Sequence, residues 1–387
     1  MNGNEITLSV FRGALTAVDA DRGEGSNLLE DAAAGARTIL EAARGEGLIV
    51  DYHASSWGRA VALVVTHDRG EDDDRIHRLA RQAFAVGGVD ATPGLYDADR
   101  QPHAEGLLDD AGGRGYGMAE MTLMERAIEQ LVILVADAVP ASAWNLPLFE
   151  TFADPCNLAG LLMMPTGPAG FDFEIHDVEE HRRIVLNTPD ELCDVLAFVT
   201  LPGRYVVRLV TTRDGKIAAA PSRQRLSSVG GRSVATNDTV CIVRCEGQFP
   251  PAWKVLKPFT RPCAGERWRR GVHGGPLTPV RLGAMRPRVA DRRPHVAALG
   301  FQIADGRLVG PRDMFDDPDF DEARRTCGTV DDHEEWAAVE DARYGLPADA
   351  AATSPTGHTG LTRMMERLEG RWEMMPERTA RGGWHPA

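Results

Sequence analysis

Lys216, Lys254 and Lys257 are the only lysines in this 387-residue chain; every other strong side-chain cation is arginine. An amine acts as a nucleophile only where its surroundings strip off its proton, and Lys254 and Lys257 lie in PPAWKVLKP, which reads as a solvated face. His273 has a different setting. The run RGVHGG places it three residues after Arg270 in a Gly-rich stretch open to a ligand, which suits proton transfer beside an anionic group. Tyr96 and Tyr116 flank a Gly- and Asp-rich segment, 91–117, and are within reach of a pocket; GGRGYGMAEM around Tyr116 reads as a Gly-rich turn. His53 in DYH and His67 in TH sit at strand ends and read as structural, hydrogen-bonded histidines. The cysteines Cys156, Cys193, Cys241, Cys245, Cys263 and Cys327 contain no CxxC pair. Cys241 and Cys245, in CIVRC, fall on one face of a strand and read as reduced core thiols, with zinc binding the alternative.

These side chains need a frame. ITLSVF opens the chain as a strand, and a helical period follows from Leu28 to Ala43. LIVDYH and AVALVVTH read as paired strands joined by SSWGR, and residues 73–84 as a helix with Ile76, Leu79, Ala80 and Phe84 on one face. Further strands are predicted at LVILVAD, which ends at Asp137, and at RYVVRLVTT, TVCIVRC and HVAALGFQI, with a helix over 189–198. The irregular alternation indicates an α/β or α+β class with substantial sheet. Residues 1–375 are expected to form a single domain, and 376–387 a poorly ordered tail.

A net charge of −14 excludes a general nucleic-acid binder, because phosphate backbones would be repelled over most of the surface. Two basic stretches, 261–270 and 286–293, read either as solvated faces or as an anion pocket. No run approaches the roughly 18 apolar residues of a membrane span, and the first residues lack the pattern of a secretory leader, so the expected location is the cytoplasm.

Longer motifs carry a resemblance. TLSV at 7–10, DYH at 51–53, the run from Thr66 to Ala80 (THDRGEDDDRIHRLA), AWNLP at 143–147 and FADPCNLAG at 152–160 occur in order. They are followed by PGRYV, QRLS, IVRC, RGVHGGPLTPV and ALGFQIADGRLVGPRDMFDDPDF, which ends at Phe320. With these the chain resembles the bifunctional fructose-1,6-bisphosphate aldolase/phosphatases. The resemblance implies a four-layer α-β-β-α sandwich, a homo-octamer, a lysine that forms a Schiff base with dihydroxyacetone phosphate, and a magnesium cluster that supports removal of the C1 phosphate.

Carried over position by position, the resemblance fails at the chemistry. The first metal-binding aspartate of the family falls on Ala14, its histidine on Asp21, its Asp-Asp pair on Arg59 and Ala60, and its glutamine on Arg100. Asp137 is kept, but the lysine after it is Ala138. Where the family reads Tyr-Val-Gly-Lys-Asp-Asp, this chain has Ser233, Val234, Ala235, Thr236, Asn237 and Asp238. Thr236 cannot form a Schiff base. The acids left, Asp137, Asp238 and Asp21, are about half of what a multi-ion cluster needs; one Mg²⁺ on two or three of them stays open, and otherwise no cofactor is expected.

The favoured expectation is a repurposed enzyme for a small phosphorylated or carboxylated metabolite, working by condensation, elimination or cyclisation. Asp137, Asp238, His273 and Tyr96 are its candidate acids and bases. Arg59, Arg100 and Arg270, with Ser233 and Thr236, are its candidate substrate contacts, since guanidinium groups can grip phosphate or carboxylate where metal ions stood. A non-catalytic sugar-phosphate or partner binder, and a fructose-1,6-bisphosphatase with a rebuilt metal site, are the alternatives. Such changes of activity on a retained fold are expected, because a fold does not fix its chemistry.

Overall fold

The computed structural model of the chain describes residues 4–14, 25–58, 60–86, 117–139, 141–163, 169–177, 179–200, 204–222, 228–229, 232–233, 237–260, 277–285, 295–329 and 363–375. Strand β1 (Glu5–Ala14) shows how the layers arise. Its side chains alternate, so Ile6, Leu8 and Val10 enter one apolar cluster while Phe11 enters another on the opposite face.

β1 pairs antiparallel with β3 (Ala60–His67) and β4 (Gly117–Met124), and β2 (Asp51–Trp57) joins β3, giving a four-stranded sheet of order β2-β3-β1-β4. Trp57 faces Ala60 across the turn, and Gly58 supplies the positive φ, 68°, that a two-residue hairpin loop requires. Helices α1 (Gly25–Gly45) and α2 (Asp74–Val86) cover one face of this sheet through Ala36, Leu40, Ile76, Ala80 and Phe84.

Among the described residues the second sheet has ten strands. Its order is β13 (Thr278–Pro279), β14 (His295–Ala304), β5 (Glu129–Val139), β12 (Asn237–Cys245), β9 (Ile217–Pro221), β8 (Tyr205–Thr212), β6 (Phe171–Asp177), β7 (Arg182–Thr188) and β16 (Glu373–Met374), with β15 (Arg307–Asp313) on β14. Ile133, Val135, Ile242 and Leu299 pack against Leu8, Val64 and Met121 of the first sheet. The other face carries Phe171, Phe173 and Val243, covered by α3 (Asn145–Phe152), α4 (Pro155–Leu162), α5 (Leu192–Val199) and α6 (Ala252–Leu256). Phe152 and Phe171 meet edge-on at 5.0 Å; each such ring contributes about 1.5–3 kcal/mol by leaving water. The packing order is thus helices, four strands, ten strands, helices.

The α/β class and the strands read at the start, around 131–137, 205–212, 239–245 and 295–303, are present. The Gly-rich turn read at GGRGYGMAEM is corrected for its second half, because from Gly117 the chain is strand β4, paired with β1; GGRGY lies outside the described residues. SSWGR is likewise mostly strand, since β2 runs through Trp57. The hairpin of β6 and β7 and helices α3 and α4 were not anticipated. α3 is buried on most sides, so no polar stripe marks its period, and the exposed positions of α4 (Pro155, Cys156 and Gly160) carry no charge that would mark one.

Candidate functional site

Of the positions where chemistry was expected, Asp137, Asp238 and Ser233 fall among the described residues. β1 ends at Ala14, directly opposite Ala60 at the start of β3. In the second sheet β5 ends as β12 begins: Thr239 pairs with Ala136 and Asn237 with Val139, across an irregularity that holds Asp238 opposite 137–138. Asp137 and Asp238 therefore lie on neighbouring strands, within a stretch where the register shifts. Ser233 lies in the short hairpin of β10 (Ser228–Val229) and β11 (Arg232–Ser233) that precedes β12. Asp21, Arg59, Tyr96, Arg100, Thr236, Arg270 and His273 lie outside the described residues, as do the two basic stretches.

Arg12 ties the two sheets together at this end. Its guanidinium is fully buried and donates from Nη1 to the carbonyl of Ala136 (3.1 Å) and from Nη2 to that of Trp57 (3.0 Å), with Met285 Sδ at 3.9 Å. One cation thus fixes the backbone just before Asp137 and just before the Gly58 turn. Thr239 Oγ1 on β12 and Ser142 Oγ in the 3₁₀ turn after β5 (Ala141–Trp144) are buried without a hydrogen-bond partner among the described residues. They are polar atoms that a water or ligand could satisfy.

Among the described residues, these strand ends offer few side-chain oxygens to a magnesium ion. Mg²⁺ takes oxygen ligands, chiefly carboxylates, whereas the facing pair of positions is Ala14 and Ala60, and Ala138 and Asn237 follow. Three alanines offer no side-chain oxygen. Asp137 and Asp238 are the acids that remain at these strand ends.

A second polar group lies under α2, on the outer face of the four-stranded sheet. Ser9 Oγ donates to Glu120 Oε1 (2.6 Å) and lies 2.8 Å from His67 Nε2. Because Ser9 gives its proton to a carboxylate, it must accept from His67 Nε2–H, and His67 Nδ1 accepts the N–H of Arg69 (3.3 Å). His67 is therefore the neutral Nε2–H tautomer. Burial, opposed by Glu120, Asp73 and Asp68, drops its pKa to about 4. Burial works against the Glu120 charge, but hydrogen bonds from His77, Ser9 and the Asp72 N–H hold its carboxyl below the usual range.

His53 Nε2 meets Ser55 Oγ at 2.8 Å and packs edge-on against Phe301. Both strand-end histidines are thus hydrogen-bonded parts of the frame. Cys241 and Cys245 are buried on one face, in the cluster beneath the helices, and burial pushes both thiols up. Lys254 hydrogen-bonds the Asn157 carbonyl and lies over Trp253, and Lys257 is exposed on the 3₁₀ turn after α6, so neither stands at the strand ends. Sequence reasoning missed Arg12, Ser9 and Glu120. The signal was a lone polar residue at alternate positions within an otherwise apolar strand.

The model of a family described as fructose-1,6-bisphosphatase matches residues 5–373. Proteins named fructose-1,6-bisphosphate aldolase/phosphatase are similar over most of the chain. The one from Ignicoccus hospitalis is 42% identical over 329 residues, covering 84% of this chain and 83% of its own length. That from Moorella thermoacetica is 38% identical, with 85% of each chain covered. That from Methanocaldococcus jannaschii is 37% identical, covering 84% of this chain and 82% of its own.

Proposed function

Because the chain belongs to the fructose-1,6-bisphosphate aldolase/phosphatase family, we propose that it is an enzyme acting on a small phosphorylated or carboxylated metabolite at the family's pocket. Its chemistry is acid–base, carried by Asp137 and Asp238, in place of a Schiff-base amine and a magnesium cluster. The observation that carries this reading is the convergence of Ala14, Ala60, Ala138 and Asn237 on the strand ends where Arg12 joins the sheets.

Two carboxylates brought close resist ionising together, so one holds a proton while the other accepts one. That division suits Asp137 and Asp238 to removing a proton beside a carbonyl and returning one to the oxygen, the core of condensation, elimination and cyclisation. Thr236 offers a hydroxyl for hydrogen bonding and no nitrogen for an imine. Arg59, Arg100 and Arg270 grip the anionic group, Ser233 adds a donor, and His273 and Tyr96 relay protons to solvent. Arg12 holds the Ala136 carbonyl and with it the backbone that presents Asp137. The working unit is a homo-oligomer without nucleic-acid or membrane partners.

The place of Asp137 and Asp238 on neighbouring strands also favours a second reading, a hydrolase with a rebuilt single-ion site. Calorimetry with fructose-1,6-bisphosphate as probe separates the two. Binding is expected to persist in EDTA and to weaken at least tenfold in Arg59→Ala and in Arg100→Ala, about 1.4 kcal/mol each. Binding that requires Mg²⁺, or that ignores both arginines, contradicts the proposal.

A further inference from the structure

We infer that Asp72, His77 and Glu120 form a site for one divalent metal ion of the zinc type, on the outer face of the four-stranded sheet and separate from the strand-end pocket. One ligand atom from each of the three residues lies within 4.8 Å of the others. Imidazole nitrogen with two carboxylates is the donor set of a three-ligand zinc centre whose fourth position takes water.

Two further observations point to a cation. First, His77 Nε2 stands 3.3 Å from Glu120 Oε1. That is long for a charge-assisted N–H···O contact, at about 2.7–2.9 Å. It matches the edge of a tetrahedron with arms of about 2.0–2.1 Å, roughly 3.3–3.4 Å. Second, Glu120 is 1% exposed, and among the described residues its partners are the Ser9 hydroxyl, the Asp72 N–H and His77, with no lysine or arginine. A buried carboxylate met by two neutral donors and one imidazole is short of positive charge.

The supporting shell is in place. Ser9 holds Oε1 and the Asp72 N–H holds Oε2 (2.9 Å), which fixes the carboxylate plane as outer-shell donors do around metal ligands. Asp72 adopts a left-handed backbone, φ 60°, a conformation uncommon for residues other than glycine that folds the loop back onto Glu120. Asp72 is half-buried, so the group opens to solvent on that side. The neighbouring acids Asp68 and Asp73 pair with Arg69 and Arg75, and Glu71 accepts the Thr122 N–H, so the positive groups of this loop are engaged elsewhere. A bound ion would pin the loop between β3 and α2 to β4.

The full chain, stripped with a chelator and dialysed, is titrated with Zn²⁺ by calorimetry and with Co²⁺ by visible absorption. One equivalent is expected to bind, with the intense visible bands of tetrahedral Co²⁺ and a rise in Tm on saturation with Zn²⁺. His77→Gln and Asp72→Asn, each checked for native circular dichroism, are expected to weaken binding at least thirtyfold and to abolish those bands. Asp72→Asn keeps the test valid if His77→Gln fails to fold. Failure of the wild-type chain to bind one equivalent overturns the inference. So does binding changed less than threefold in a folded variant, which would assign the ion to exposed thiols such as Cys156 or Cys193.

Discussion

Glu129→Ala is expected to lower the stability of the fold by about 3–5 kcal/mol, read as a fall in the urea midpoint without loss of the cooperative transition. Glu129 opens β5 and is fully buried between two arginines. Arg126 donates from Nη2 to Oε1 (2.7 Å) and from Nε to Oε2 (2.9 Å), and Arg244 donates from Nε to Oε1 and from Nη2 to Oε2, both at 2.9 Å. Both guanidiniums also lie over the Phe249 ring, at 5.4 and 4.4 Å. Burial opposes the Glu129 charge, yet the bonds from Arg126 and Arg244 prevail and hold its carboxyl below the usual range. Removing the carboxylate strands Arg244, whose side chain is 4% exposed, as an uncompensated buried charge. Arg126 is half-exposed and keeps its bonds to the Glu246 and Cys245 carbonyls, so most of the loss comes from Arg244. Glu129 stands at the opposite end of β5 from Asp137. Ligand binding per folded molecule is therefore expected to be unchanged, and a loss below about 1 kcal/mol would show that the pair is not closed off from water.

Acidification is expected to weaken the fold well before the carboxylates protonate, and His67 is the main cause. In the folded state burial holds its pKa at about 4, against 6.5 for an ordinary histidine. Between these values the unfolded chain takes up a proton that the folded chain refuses, so stability rises with pH. The contribution is fully present above about pH 6.5 and is lost as the pH falls towards 4, about 3 kcal/mol in all. Burial lowers His53 and His176 as well, so they add to the slope in the same direction. Glu120 loses its own contribution only at more acid pH, as the medium falls through its lowered pKa. Urea melts at pH 7, 6, 5 and 4.5 measure the slope. His67→Gln is expected to lower stability at pH 7 and to flatten the acid limb; an unchanged limb would mean that another group carries it.

How far the sequence speaks for itself differs between frame and site. β1, β3, β5 and β14 were legible because their apolar runs are long and β-branched, and α2 because Ile76, Leu79, Ala80 and Phe84 keep helical spacing. β4 was hidden by the glycines before it, since GMAEMTLM carries a buried glutamate where alternation predicts an outward polar residue. The cover over that glutamate comes from α2, more than thirty residues upstream, which no local pattern records. Arg12 was passed over for a similar reason: an arginine near a strand end reads as solvent-facing until the second sheet is laid over it. The expectation that Ala14, Ala60, Ala138 and Thr236 stand where the family carries metal ligands or an amine rests only on the family motifs, because an alanine announces nothing about the group a relative has there. The placing of 137 and 238 on adjacent strands follows from β5 and β12 being neighbours, which sequence order alone does not fix.

The measurement that tests the central claim most directly is phosphate release from fructose-1,6-bisphosphate by the purified, folded protein, with Mg²⁺ and with EDTA, beside the Moorella thermoacetica relative. The account predicts release by the relative and none by this chain under either condition, since Ala14, Ala60, Ala138 and Thr236 remove the metal and amine chemistry. Mg²⁺-dependent release by this chain, abolished by EDTA, would contradict it and assign a working metal site to the acids that remain.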